Sequence, residues 1–134
     1  MQNKTVLIVE DSAFDQQMLI AMVGKLGFRH LLCADGQEAL LLLKDCHKSV
    51  DLVLLDLILP GIDGISIIGH LKAHYPQLPI IVVSSVTDKD EIAHTLKVGA
   101  DDFISKPVEF ARFAATVRKI LNVASGEYSR VAKQ

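Results

Sequence analysis

Cysteine is scarce: Cys33 and Cys46 are the only two in 134 residues, and both sit inside apolar segments. Two are too few for a secreted disulfide framework, so a pair of reduced core thiols is expected. An excess of one charge is also missing, since 14 Lys and Arg face 16 Asp and Glu for a formal −2. So even a balance lacks the basic footprint of a nucleic-acid binder, and no direct nucleic-acid binding is expected. Every apolar run is cut by a charge well short of membrane-spanning length. Met1-Gln2-Asn3-Lys4 leads straight into a strand, which reads as leaving no room for a signal peptide. Internal repeats, low-complexity stretches and helix-turn-helix or cyclase motifs are absent. The expectation is a cytoplasmic domain with no membrane association. Apolar residues make up 50% of the chain, enough for one domain with a normal core.

Strand-like and helix-like segments alternate from end to end. Lys4 to Val9 is short, apolar and β-branched. Phe14 to Leu26 puts Met18, Leu19, Met22, Val23 and Leu26 on one helical face, and Gly27 supplies the stop. His30 to Ala34 is a weaker strand, and Asp35 with Glu38 three residues on reads as a capped start for a helix through Leu43. Val50 to Asp56 is a third strand, followed by the break Leu59-Pro60-Gly61 and a helix from about Ile62 to Ala73. Ile80 to Val83, free of polar residues, reads as a central strand. Thr87-Asp88-Lys89-Asp90 has capping-box spacing for a helix to Val98. Asp102 to Ser105 is the fifth strand, and Pro107 suits the first turn of a last helix whose apolar face is Phe110, Phe113, Ala114, Val117, Ile120 and Leu121. The division expected is a domain over 1–121 and a flexible tail or linker start over 122–134. Five strands alternating with five helices imply an α/β fold, a doubly wound parallel sheet with helices on both faces.

Four of the strands deliver a polar group at the same end. Val6 to Val9 runs into Glu10-Asp11, Val50 to Leu55 into Asp56, Ile80 to Val83 into Ser84-Ser85, and Phe103-Ile104 into Ser105-Lys106. In doubly wound sheets ligands bind outside the carboxyl ends of the strands, where strand order reverses. For the flavodoxin-like order 2-1-3-4-5 that point lies between the first and third strands, which end in Glu10-Asp11 and Asp56. Three carboxylates crowded there repel, each pair ~4 Å apart by on the order of 4 kcal/mol at an effective dielectric near 20. A hard cation is the natural occupant, and Mg²⁺ suits it better than Ca²⁺, because it takes few carboxylates plus waters and a phosphate oxygen. Ser84 and Lys106 complete a phosphate site, with Asp56 as the nucleophile that forms an acyl phosphate.

The chain resembles the response-regulator receiver domains of two-component signalling over about residues 4 to 121. The resemblance is carried by Val9-Glu10-Asp11-Ser12, Leu55-Asp56-Leu57-Ile58-Leu59-Pro60-Gly61-Ile62-Asp63-Gly64, Val83-Ser84-Ser85 and Gly99-Ala100-Asp101-Asp102-Phe103-Ile104-Ser105-Lys106-Pro107. It implies that Asp56 accepts a phosphoryl group from a histidine kinase or histidine phosphotransfer protein, as a stoichiometric acceptor rather than a turnover enzyme, with small phosphodonors able to replace the kinase. Asp11, Asp56 and the Ile58 backbone carbonyl would ligate Mg²⁺, for which Mn²⁺ would substitute, with Glu10 acting mainly through water. Lys106 would pair with phosphoryl oxygens, its bond to Pro107 cis. Ser84 and Phe103 match the switch pair that repacks the face of the fourth helix, fifth strand and fifth helix. On this chain that face includes His94, Lys97, Asp101, Ile104, Arg112 and Lys119, and partner binding or homodimerisation there is expected. Ile58 and Val86, two residues after the acceptor and the switch hydroxyl, are apolar and unable to orient an attacking water. A long-lived phosphorylated form, relieved by a phosphatase, follows.

Blander roles exist for each piece. Lys106-Pro107 alone fits a solvated lysine before a helix, and Glu10-Asp11 alone fits a loop pair. His70 and His74, four apart, lack the Glu of a zincin motif and are expected to be exposed. Three rival functions remain: a degenerate receiver serving only as a binding module, a flavodoxin-like redox protein, whose FMN phosphate Glu10-Asp11-Ser12 would repel, and a dehalogenase-type phosphatase, which wants an acid where Ile58 stands.

Overall fold

The structure is a computed structural model that describes residues 4–122. Five parallel strands, β1 Thr5–Val9, β2 Arg29–Cys33, β3 Leu52–Leu55, β4 Ile80–Ser84 and β5 Asp102–Ser105, lie in the order β2-β1-β3-β4-β5. Between and after them run the helices α1 Ala13–Lys25, α2 Gly36–Cys46, α3 Gly64–His74, α4 Lys89–Val98 and α5 Phe110–Leu121, with a short 3₁₀ turn at His47–Ser49. This is the doubly wound α/β fold expected. β3 is the middle strand, and β4, buried throughout, is enclosed by β3 and β5.

Side chains alternate across each strand, so β1, β3, β4 and β5 each feed two cores, while the edge strand β2 gives Leu31 and Cys33 to one of them. Val6, Ile8, Leu52, Leu54, Ile81, Val83 and Ile104 pack with Leu19 and Val23 of α1 and with Phe113 and Val117 of α5. Leu7, Val9, Val53, Leu55, Ile80, Val82 and Phe103 pack with Ala39 and Leu43 of α2 and with Ile67, Ile68 and Leu71 of α3. The weak strand is weak because it lies at the edge: Arg29, His30 and Leu32 of β2 are exposed.

Several boundaries differ from the sequence expectation, each because a local group decides. The cap of α4 is Asp88, which accepts from Asp90 N, so the box counted from Thr87 is shifted by one residue. Pro107 lies before α5 rather than in its first turn; Glu109 is the N-cap, and the Lys106-Pro107 peptide is cis. α2 runs on to Cys46, since nothing after Leu43 breaks it, and α3 begins at Gly64 because Asp63 caps it. Asp35 caps α2 as expected, its Oδ1 accepting from Glu38 N (2.8 Å), while Glu38 Oε1 accepts from Ala34 N (2.7 Å), one residue before the cap. Gly27, at φ +84°, ends α1 in the left-handed region. Cys33 is buried and Cys46 half-buried, both as free thiols. His70 and His74 are exposed, their rings stacked 4.0 Å apart. The tail expected over 122–134 lies, from residue 123 on, outside the described residues. Among the described residues no helix is long and apolar enough to cross a membrane.

Candidate functional site

Strand parity builds the site. Glu10, Asp56 and Lys106 each follow by two residues a side chain of the α1/α5 core, namely Ile8, Leu54 and Ile104. Continued past the strand ends, the alternation sends all three toward the same side of the sheet. Ser84, two residues after Val82, and Phe103 belong to the opposite side. Backbone bonds hold the ends in place: Asp56 N donates to Val9 O (3.1 Å), Glu10 N to Cys33 O (3.0 Å) and Lys106 N to Ser84 O (3.0 Å).

At the meeting point one ammonium serves three carboxylates. Lys106 Nζ donates to Glu10 Oε1 (2.8 Å), Asp15 Oδ2 (2.9 Å) and Asp56 Oδ2 (3.0 Å). The second oxygens are also used. Glu10 Oε2 accepts from Ser12 N (3.0 Å) and Asp56 Oδ1 from Ile58 N (3.1 Å). Glu10, Asp11 and Asp56 each offer an oxygen within 4.8 Å of the others, Glu10 and Asp56 buried and Asp11 exposed. Burial raises the Glu10 carboxyl above its ordinary range, with the nearby Asp56 charge pushing the same way against the hydrogen bonds from Lys106 and Ser12. Burial works to lower the Lys106 ammonium, but its bonds to the three carboxylates outweigh that and raise it. An acid cluster with a surplus of negative charge, one member under strain from burial, fits a divalent cation on the chemistry of its donors.

Other expected residues fall around this cluster. Ser84 is fully buried and its hydroxyl accepts from Val86 N at 3.4 Å. Phe103 is 6% exposed, its ring in the core on the α2/α3 side of the sheet. Ile58 is 60% exposed beside Asp56, Val86 is half-buried, and Ser85 and Pro107 are exposed. Glu10 also makes a direct ion pair with Lys106. Of the face expected to repack, His94, Lys97, Arg112 and Lys119 are exposed. Ile104 is instead fully buried, and Asp101 is engaged with Lys72 Nζ (2.9 Å) and Ile80 N (2.8 Å). The residue sequence reasoning missed is Asp15. Its signal was present in the Ser12-x-x-Asp15 spacing: Ser12 caps α1, and Asp15 sits in the first turn, next to the strand end.

Residues 6–118 match the family model described as the response regulator receiver domain. The chain belongs to this family. It is 38% identical over 118 residues to the transcriptional regulatory protein MalR of Bacillus subtilis, covering 81% of this chain and 46% of that protein. It is 35% identical over 104 residues to a cyclic di-GMP phosphodiesterase of Thermotoga maritima, covering 78% of this chain and 27% of that one. Among solved structures it is similar to the CheX-CheY-BeF₃-Mg²⁺ complex from Borrelia burgdorferi, at TM-score 0.84 and 30% identity over 87% of this chain and 88% of that one. The receiver spans about half or less of the curated relatives it matches. Membership in a two-component signalling family sets the redox-flavoprotein and dehalogenase alternatives aside.

Proposed function

We propose that this receiver is an active phosphoacceptor and that Asp56 takes the phosphoryl group. The observation that carries this is the ion-paired cluster: Lys106 Nζ within 3.0 Å of both Glu10 and Asp56, with Asp11 alongside, at the reversal of strand order. A degenerate receiver would have no use for so costly a concentration of buried charge.

In the transfer, an Asp56 oxygen attacks the phosphorus of a phosphohistidine on a histidine kinase or histidine phosphotransfer protein. The new O–P bond forms as the P–N bond breaks, and the imidazole nitrogen leaves with the electron pair. With acetyl phosphate the leaving group is acetate. Ile58 N–H, bonded to Asp56 Oδ1, orients the carboxylate. Lys106 supplies positive charge to the transferred group, and the Ser84 hydroxyl, freed from Val86 N, donates to one of its oxygens. Glu10, Asp11 and Asp56, with the Ile58 carbonyl, would hold Mg²⁺ or Mn²⁺, which supplies charge neutralisation for the transferring phosphoryl group when bound. The protein is a stoichiometric acceptor rather than a turnover enzyme.

Movement of Ser84 toward the phosphate couples to the packing of Phe103 and so to α4, β5 and α5, where His94, Lys97, Arg112 and Lys119 present a polar surface for a partner or a second copy. Pro107 and Ser85 border the site from β5 and β4. The receiver unit runs over 1–121 and acts in the cytoplasm without contacting nucleic acid itself; a phosphatase is a further partner. The output lies with whatever segment a receiver of this kind regulates.

The test is intact mass after incubation with acetyl phosphate and Mg²⁺. One phosphoryl adduct is expected on the wild type and none on Asp56→Ala. No adduct, or one that survives the substitution, rules the assignment out.

A further inference from the structure

Asp15 has no part in the phosphotransfer chemistry assigned to Asp56, Lys106 and Ser84. An aspartate in the first turn of a helix is stabilising in its own right, because it faces the positive end of the helix dipole. That role does not require its carboxylate to turn inward and bond a lysine 91 residues away at 2.9 Å. The consequence lies in the donor count. A lysine ammonium has three N–H donors and no acceptor. The three anionic partners Glu10, Asp15 and Asp56 match all three donors of Lys106. A phosphoryl oxygen that is to pair with Lys106 therefore has to take a place already filled.

Of the three partners, one can leave readily. Asp56 is the acceptor itself, and the Glu10 side chain is 1% exposed and also held by Ser12 N. The Asp15 side chain is 22% exposed and can swing to water. Its carboxylate, anionic and about the reach of a phosphoryl oxygen from Lys106, occupies the position that an incoming group needs.

Building on the phosphoacceptor assignment, we infer that Asp15 is a built-in competitor for Lys106, a positioning residue that holds the ammonium before phosphorylation and must be displaced by the phosphoryl group. Once displaced, it faces the acyl phosphate as a like charge. Asp15 thus sets a threshold against adventitious phosphorylation, which a cognate donor overcomes with its own binding contacts.

The experiment compares wild type, Asp15→Asn, Asp15→Ala and Asp15→Glu, each with Mg²⁺ saturating for that variant. Two quantities are read: the rate of phosphorylation by acetyl phosphate, from intact mass, and the dissociation constant for beryllium fluoride, which mimics the bound phosphoryl group. Asn and Ala should raise the rate and tighten beryllium fluoride by on the order of fivefold, while Glu, which restores the charge, stays near wild type. Urea stability of the metal-free Asn and Ala variants should stay level or fall, so a purely structural role would not produce the gain. Unchanged or slower phosphorylation in Asn and Ala overturns the competitor role. If the wild type is not phosphorylated, or the adduct survives Asp56→Ala, it is the underlying phosphoacceptor assignment that fails.

Discussion

Replacing Lys106 with methionine keeps most of the side-chain stem and removes the ammonium on which the acid cluster depends. In the wild type the Lys106 side chain is 14% exposed and its ammonium balances Glu10, Asp15 and Asp56 at 2.8, 2.9 and 3.0 Å. Taking away one partner of a buried ion pair costs about 3–5 kcal/mol, because the remaining charge is left without compensation. Here Glu10 and Asp56 are the buried carboxylates left behind, while Asp15 can turn to water. A loss of about 3 kcal/mol is therefore expected in metal-free buffer, a large part of the ~5–15 kcal/mol available to a domain of this size. The same vacancy should tighten Mg²⁺ by a factor on the order of ten, since a positive neighbour has gone from the binding site. Urea melts in EDTA and across a Mg²⁺ titration read both quantities, as a ligand that binds only the folded state adds RT ln(1 + [L]/Kd) to its stability. The deficit should also shrink as pH falls. Glu10 already titrates above its ordinary value because it is buried, and without Lys106 it rises further. A carboxyl with a raised folded-state pKa destabilises the fold when ionised, and protonation on the way down relieves that. A metal-free loss below ~1 kcal/mol, together with an unchanged Mg²⁺ affinity, would refute the view that Lys106 neutralises this cluster.

Further outcomes follow from the neighbours of Asp56 and from the buried Cys33. Ile58, at 60% exposure beside Asp56, and half-buried Val86 offer no polar group to an attacking water. Substituting Ile58→Asn with Val86→Glu should shorten the lifetime of the phosphorylated form several-fold; equal decay in the two proteins would discard the idea. The Cys33 thiol is raised to about 11, first by burial and then by the Glu38 and Asp35 charges. An acid with a raised folded-state pKa holds its proton where the unfolded chain has lost it, so Cys33 contributes a loss of stability as pH rises from about 9 toward 11. Iodoacetamide at pH 8 should leave Cys33 unmodified in the folded protein and modify it in urea; rapid labelling of the native state would contradict its burial.

Much of the site is legible in the sequence. Strand-end carboxylates are rare enough, and the order of polar groups after β1, β3, β4 and β5 regular enough, to name Glu10, Asp11, Asp56, Ser84 and Lys106 as neighbours in space. Short uninterrupted apolar runs marked the strands and a period near 3.6 marked the helices, because a strand covered on both faces is apolar throughout while a helix buries one face. Helix starts were less secure. Thr87 and Asp88 are both competent caps, and the choice between them is made by the loop geometry that brings Asp88 to Asp90 N.

Local sequence therefore determined the alternating β/α order, the two-sided core and the presence of an acid cluster with its lysine. Tertiary structure alone decided how that lysine is shared. Whether Asp15 touches Lys106, whether Ile104 is buried and whether Asp101 is tied to Lys72 and Ile80 depends on how α1, α3 and the end of β5 settle against one another. Those are contacts between residues up to 91 apart in the chain, and no local period or spacing encodes them.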